Sequence, residues 1–216
     1  MQRQTQVGKL TPAKLFWLFM AGSLGGVVVE TLWCVLTTGT VQSRAGVLYG
    51  PFNPVYGIGA VLLTVLLTAV EHRGNLWLFG CGALLGAGYE FAYSYIEERL
   101  LGTVSWEYSH LPFSIGGRVN LFYALGWGAL GLFWIRVLYP RLDAFISRIL
   151  QQQAGWLTVA VAIFMAVNMG LSFMAVGRQA QRREGVVAAD PLAVFLDTHY
   201  SDAVLQQRYP NTQVQK

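Results

Sequence analysis

The chain has 216 residues, of which 54% are hydrophobic and 12% charged, with mean hydropathy +0.44 and a formal net charge of +4. Those proportions describe a polytopic membrane protein and exclude a large soluble enzyme domain. The basic residues cluster near the ends of apolar runs, which suits juxtamembrane anchoring, and no long basic run supports nucleic-acid binding.

In chain order, the basic lead 1–14 runs into a first apolar stretch at about 15–36, too long for a signal-peptide core and read as a retained first helix. Further spans fall at about 55–70, 76–96, 119–139 and 156–176, so a membrane domain over 1–176 crosses five times and the termini lie on opposite sides. The expected fold is all-α, a polytopic helix bundle. The second span is short and opens through Gly50, Pro51, Phe52, Asn53 and Pro54, where two prolines preclude a regular helix. This predicts a re-entrant or broken segment ahead of span two, which must be covered by protein or water. Between spans four and five, Leu142, Phe145, Ile146 and Ile149 recur at helical spacing beside Arg141 and Arg148, the pattern of an interfacial amphipathic helix. In the polar tail, 177–216, Asp190 and Pro191 signal a short helix whose Leu192, Phe195, Leu196 and His199 form one face, to be docked on the membrane domain or a partner.

Two acids interrupt the spans. Glu30 lies fifteen residues past Leu15 and Glu90 fourteen past Leu76. Spans one and three run in the same direction, so the two carboxyls differ in height by only about 1.5 Å. An acid near the middle of a bilayer helix costs about 2.5–3.5 kcal/mol on insertion scales, so each is expected to face protein, water or a ligand. Each is read either as structural glue between helices or as part of a functional polar site.

An internal echo accompanies the acids. Glu30, Gly39-Thr40-Val41 and Pro51-Phe52-Asn53 are followed by Glu90, Gly102-Thr103-Val104 and Pro112-Phe113-Ser114, with acid-to-proline spacings of 21 and 22. The echo is read as a two-span unit used twice, spans 1–2 and 3–4, with a site expected between the repeats.

Five crossings bring Arg44, Asn53, Tyr56, Glu97, Glu98, Trp106, Glu107, His110, Arg118 and Asn120 to the side nearer the two acids. Glu90, Tyr93, Ser94 and Glu97 share one stripe of span three. Arg118, at the mouth of span four, is read as counter-ion to the acids, against the alternative of a snorkelling interfacial arginine. Asn53 and the turn amides are read either as an anion site at a helix start or as an ordinary loop closure by the asparagine. The predicted pocket is thus Glu30, Glu90, Arg118, Asn53, Tyr56, Tyr93, Trp106 and Glu107. His110 and Glu107 form at most an acid and base pair, with an ordinary loop histidine the competing reading.

Cys34 and Cys81 fall inside spans and read as small core residues; no metal site or cofactor is expected. The chain has no GxxxxGK[ST], HExxH or GxSxG motif, so any ATP-driven role borrows its ATPase from another chain. Charge does not orient the protein. Arg3, Lys9, Lys14, Arg73, Arg136, Arg141 and Arg148 lie on one side, against Arg44, Arg99, Arg118, Arg178, Arg182 and Arg183 on the other.

The segments YGPFNPVYGIGA, YEFAYSYIEERLLG, WEYSHLPFSIGGRVNLFYALGWG and FLDTHYSDAVLQQRYPN, spread over about 15–211, together resemble the CmpB-like family of small bacterial membrane proteins, type IV ABC-transporter permeases. The matching positions are Tyr49, Gly50, Pro51, Asn53, Pro54, Tyr56, Gly57, Trp106, Tyr108, Pro112, Gly117 and Arg118. One departure is Ser114, where the family pattern carries asparagine. The resemblance implies a multi-pass protein of the bacterial cell membrane, surrounded by lipid and working with a separate ATPase subunit or as a homo-oligomer. Three functions are weighed: a transport component with a polar pocket, a membrane-embedded lipid-binding protein or enzyme, and a non-catalytic partner subunit.

Overall fold

The computed structural model describes residues 9–152, 155–210 and 213–214. The lead before residue 9 lies outside the described residues. The architecture is helical, as composition requires: α1 (Pro12–Thr38), α2 (Pro54–Thr68), α3 (Asn75–Leu101), α4 (Leu121–Phe133), α5 (Tyr139–Gln152), α6 (Trp156–Arg183), α7 (Pro191–His199) and α8 (Asp202–Arg208). Two short strand pairs, β1 (Thr103–Val104) with β4 (Gln213–Val214) and β2 (Ser114–Ile115) with β3 (Val119–Asn120), pin loops at one end of the molecule.

Among the described residues, three helical segments are long and apolar enough to cross a membrane by length and composition: Pro12–Thr38, Leu121–Gln152 and Trp156–Arg183. The helix Pro54–Thr68 is apolar but has only 15 residues. At 27 residues α3 has the length, yet Glu90, Glu97, Glu98 and Arg99 dilute its apolarity.

Span four and the amphipathic helix, expected to be separate, form one continuous helical run, Leu121–Gln152. Pro140 lies within that run and supplies no N–H. A π turn at Trp134–Leu138 absorbs the missing proline N–H, with the Tyr139 N–H reaching back five residues to the Trp134 carbonyl.

The helices pair as α1 with α2 and α3 with α4, and glycines set the approach. A methyl group on Gly22 would stand 2.5 Å from Ala60 Cβ, and one on Gly86 would stand 2.3 Å from Trp127 Cβ. Such contacts bring backbones together where no hydrophobic drive acts between helices in lipid. The apolar core, around Leu18, Leu63, Leu67, Leu78, Trp134 and Tyr139, occupies the end nearer the N-terminus. There Lys14 pairs with Asp143 at 2.7 Å, Trp17 donates to Thr158 at 3.0 Å, and Arg136 donates to Asn75 at 3.1 Å. The opposite end is polar and holds the cavity described next.

Candidate functional site

A strap of residues 39–53 joins α1 to α2. Gly39, at φ 70°, ends α1 and turns the chain back along it. The Asn53 N–H donates to the Ser23 carbonyl at 3.1 Å. Ser23 lies fifteen residues before Thr38, so the strap descends beside α1 by about 22 Å. Asn53 then caps α2: its Oδ1 accepts from the Val55 N–H at 3.1 Å, and its Nδ2 donates to the Arg44 carbonyl at 3.0 Å. That fixes Arg44 beside Glu30, with Nη1 to Oε1 at 3.2 Å.

From the far side, α6 holds the same strap. The Tyr49 N–H donates to Asn168 Oδ1 at 3.1 Å, and Asn168 Nδ2 donates to the Tyr49 carbonyl at 2.7 Å. The Leu48 N–H donates to Ser172 Oγ at 2.9 Å. Asn168 and Ser172 were missed in the sequence. The available signal was a lone asparagine inside an apolar run, where an unpaired amide is costly.

The loop from α3 to α4 repeats the cap. Asn120 Oδ1 accepts from the Phe122 N–H at 2.9 Å, while its Nδ2 donates to the Pro112 carbonyl at 2.6 Å. The Arg118 side chain, from this loop, is spent on α3. It donates to Ser94 Oγ at 3.1 Å and pairs with Glu98, while the Trp106 indole N–H binds the Arg118 carbonyl at 3.0 Å. Glu98 lies two helical turns past Glu90 and closer to the helix end where Arg118 enters, so the guanidinium meets Glu98 rather than Glu30 or Glu90.

Glu97 closes the turn after α3, accepting from the Ser105 N–H at 3.0 Å and the Ser105 hydroxyl at 2.9 Å. Glu107 is a local loop residue: its carboxylate accepts from the Ser109 N–H at 2.7 Å and lies 3.8 Å from His110. Bonds from the Ser109 hydroxyl and N–H hold that carboxyl below its ordinary range.

Between the strap, α2, α3 and α6 lies a cavity of about 370 Å³. Glu30, Asn53, Tyr56, Tyr93 and Trp106 line it, and Glu90, Arg118 and Glu107 do not. Arg44 and Glu97 complete its polar wall; Met169, Phe173 and Val176 of α6 form an apolar one, and Tyr209 of the tail closes it. Tyr93 and Trp106 stack with ring centroids 5.6 Å apart. Glu90 instead lies between α3 and α4, its Oε2 buried without a hydrogen-bond partner and the Trp127 indole beside the carboxyl.

The tail is fastened over this end. Arg178 grips Asp197 with two bonds, 3.0 and 2.8 Å, and Arg182 bridges Asp197 and Asp202 at 2.6 Å each. Tyr200 and Tyr49 share a 2.8 Å hydroxyl contact, and Arg208 donates to the carbonyls of Val47, at 2.8 Å, and Gly50. The expected docking face of α7 is rotated. Ala193, Leu196 and Tyr200 are buried with Leu205, while Leu192 and Phe195 stay exposed, because Ala175 of α6 packs against the former set.

Hydrogen bonds from Arg178 and then Arg182 hold the Asp197 carboxyl at about 2, below its unfolded value of about 3.9. A depressed acid stabilises the docked tail above the unfolded pKa and loses that contribution as pH falls through the folded one. Limited proteolysis after residue 184 should therefore be unchanged from pH 7 to 5 and accelerate between about pH 4 and 2. Asp197→Asn should bring the fast cleavage to neutral pH.

Comparison with curated proteins and with solved structures found no match. A family model described as "Putative ABC-transporter type IV", of the CmpB kind, matches residues 17–173, which contain the strap, both asparagine caps, α2 to α5 and most of α1 and α6. The chain belongs to this ABC-transporter-related family of membrane proteins.

Proposed function

We propose that the protein is a multi-pass, permease-like component of an ABC-type transport system in the bacterial cytoplasmic membrane, and that the cavity beside Glu30 and Arg44 receives its ligand. The observation that carries this reading is an ion pair inside a cavity of about 370 Å³, a volume typical of small-molecule sites. Five crossings are supported by the sorting of contacts: Lys14, Asn75, Arg136 and Thr158 meet at one end, and both long loops and the tail meet at the other. The descending strap supports a re-entrant segment whose polar backbone is satisfied by α1 and α6. With no phosphate-binding loop in the chain, ATP hydrolysis falls to a separate subunit.

Duplication is supported by a second register. Glycines eight and four residues before each acid, Gly22 and Gly26 for Glu30 and Gly82 and Gly86 for Glu90, sit on the face toward the paired helix. Each pair ends in an Asn-x-x-Tyr cap, Asn53 to Tyr56 and Asn120 to Tyr123. The two caps make matching bonds, which favours aligning Asn53 with Asn120 rather than Pro51 with Pro112.

Two measurements test the reading. In a background lacking Cys34 and Cys81, cysteines placed at Ser43 and His72 should label from opposite faces of the membrane; labelling from one face rejects the five crossings. Solute profiles of cells expressing Glu30→Gln or Arg44→Gln should lose the chain-dependent change shown by the parent. An unaltered profile from well-folded variants removes the cavity from the function. A second reading, a lipid-binding protein or an enzyme acting on a head group, is favoured by the apolar α6 wall beside the charges; turnover of labelled lipid by the purified protein would decide for it.

A further inference from the structure

The cavity wall carries unused hydrogen-bonding capacity of both signs. Arg44 spends one Nη1 contact of 3.2 Å on Glu30 and has the Cys34 thiol as a neighbour, and the Arg44 and Glu30 side chains, both lining the cavity, stay 21% and 33% exposed. A guanidinium offers five N–H donors and a carboxylate about four acceptor sites, so one long contact leaves both partners able to bind more. Glu97, by contrast, is already satisfied by Ser105 and Thr103.

The aromatic stack adds a second feature. Tyr93 and Trp106, both lining the cavity, lie with planes 20° apart and centroids 5.6 Å apart, so the cavity that holds Glu30 also carries aromatic rings, whose quadrupole favours a cation. Across from these groups, Met169, Phe173 and Val176 present apolar surface. A lone cation would leave the exposed part of the Arg44 guanidinium unused, and a lone anion would compete for Arg44 and leave the exposed part of Glu30 and the stack unused.

We infer that the cavity binds an amphiphilic zwitterion: its acidic group on Arg44, its ammonium between Glu30 and the Tyr93–Trp106 stack, and its apolar part along α6. This rests on the transport reading only in placing the ligand in this cavity. Two sources share the chemistry, a lipid whose head group joins phosphate to an amine and a free apolar amino acid.

Calorimetric titration of the full chain in an uncharged detergent separates the cases. Lyso-phosphatidylethanolamine should bind at least about tenfold tighter than lyso-phosphatidylglycerol, which lacks the ammonium, or dodecylammonium, which lacks the acid. Glu30→Gln should erase the preference over lyso-phosphatidylglycerol, and Val176→Trp, which fills the cavity while keeping the ion pair, should abolish binding. Leucine binding with similar affinity identifies a free apolar amino acid as ligand, binding confined to the lysolipid identifies a lipid, and phosphoethanolamine binding as tightly as either overturns the apolar part of the proposal. If one of the single-charge probes binds as tightly as the zwitterion and Val176→Trp still abolishes it, the cavity remains a ligand site and the zwitterion is overturned. A preference that survives Glu30→Gln overturns it equally. If no probe binds in a manner sensitive to Val176→Trp, the cavity reading of the function falls as well.

Discussion

Gly86→Leu should prevent the two central helices from closing, with a loss of folded, monodisperse protein in detergent and a stability cost of at least about 3 kcal/mol, the upper end for overpacking. An added Cβ would meet Trp127 Cγ at 2.1 Å and Trp127 Cβ at 2.3 Å. Those atoms lie near the backbone of α4 and cannot swing aside as the tip of a flexible chain would. The control is Gly88, two residues on, where nothing lies within 4 Å of the added carbon. Gly88→Leu faces open space, and its thermal midpoint should stay near that of the parent. Equal losses at both positions would mean that general insertion, and not the α3–α4 contact, sets the stability. Gly26→Leu should resemble Gly86→Leu, since its Cβ would stand 2.4 Å from Tyr56 Cβ.

Asn168→Ala should cost about 2–4 kcal/mol and unfasten the strap. Asn168 is 2% exposed and serves both polar groups of the Tyr49 peptide. Side-chain hydrogen bonds between membrane helices average only about 0.6 kcal/mol, because the separated helices find other partners. Here the larger figure applies, since the amide is paired with irregular backbone that no helix satisfies. The strap also carries Arg44 and the Tyr49 contact to Tyr200, so cleavage by added protease should rise both in 43–53 and after residue 184. Ser172→Ala, which removes one bond from Leu48, should cost about 1 kcal/mol and leave the tail docked. An Asn168→Ala protein with parental melting and parental protease resistance would show that the strap is held by other means.

Much of the helical layout is visible in the amino-acid order because lipid imposes a length and a polarity on each segment. Glu30, Asn53, Tyr56, Tyr93 and Trp106 are legible for the same reason: a polar or proline-bounded feature inside an apolar run must be housed somewhere. The choice of counter-ion is not legible. Arg44 and Arg118 enter on the same face, and only the fold of the strap, set by the Asn53 bond to the Arg44 carbonyl, puts one of them beside Glu30. Nor is the α6 wall, because Asn168 reads as an isolated impurity until the peptide it serves is known. The continuous helix through Pro140 escaped for a local reason, since π turns carry no residue signature comparable to that of a cap.

The bonds that shape the cavity span great sequence distances, up to the 161 residues between Arg208 and Val47. A nascent chain can lay down its first helices early, but the strap has no anchor until α6 follows and no cover until α8 is made. The cavity wall therefore assembles only once α6 and α8 have both followed the strap, and a product halted between them would leave the strap open to proteolysis.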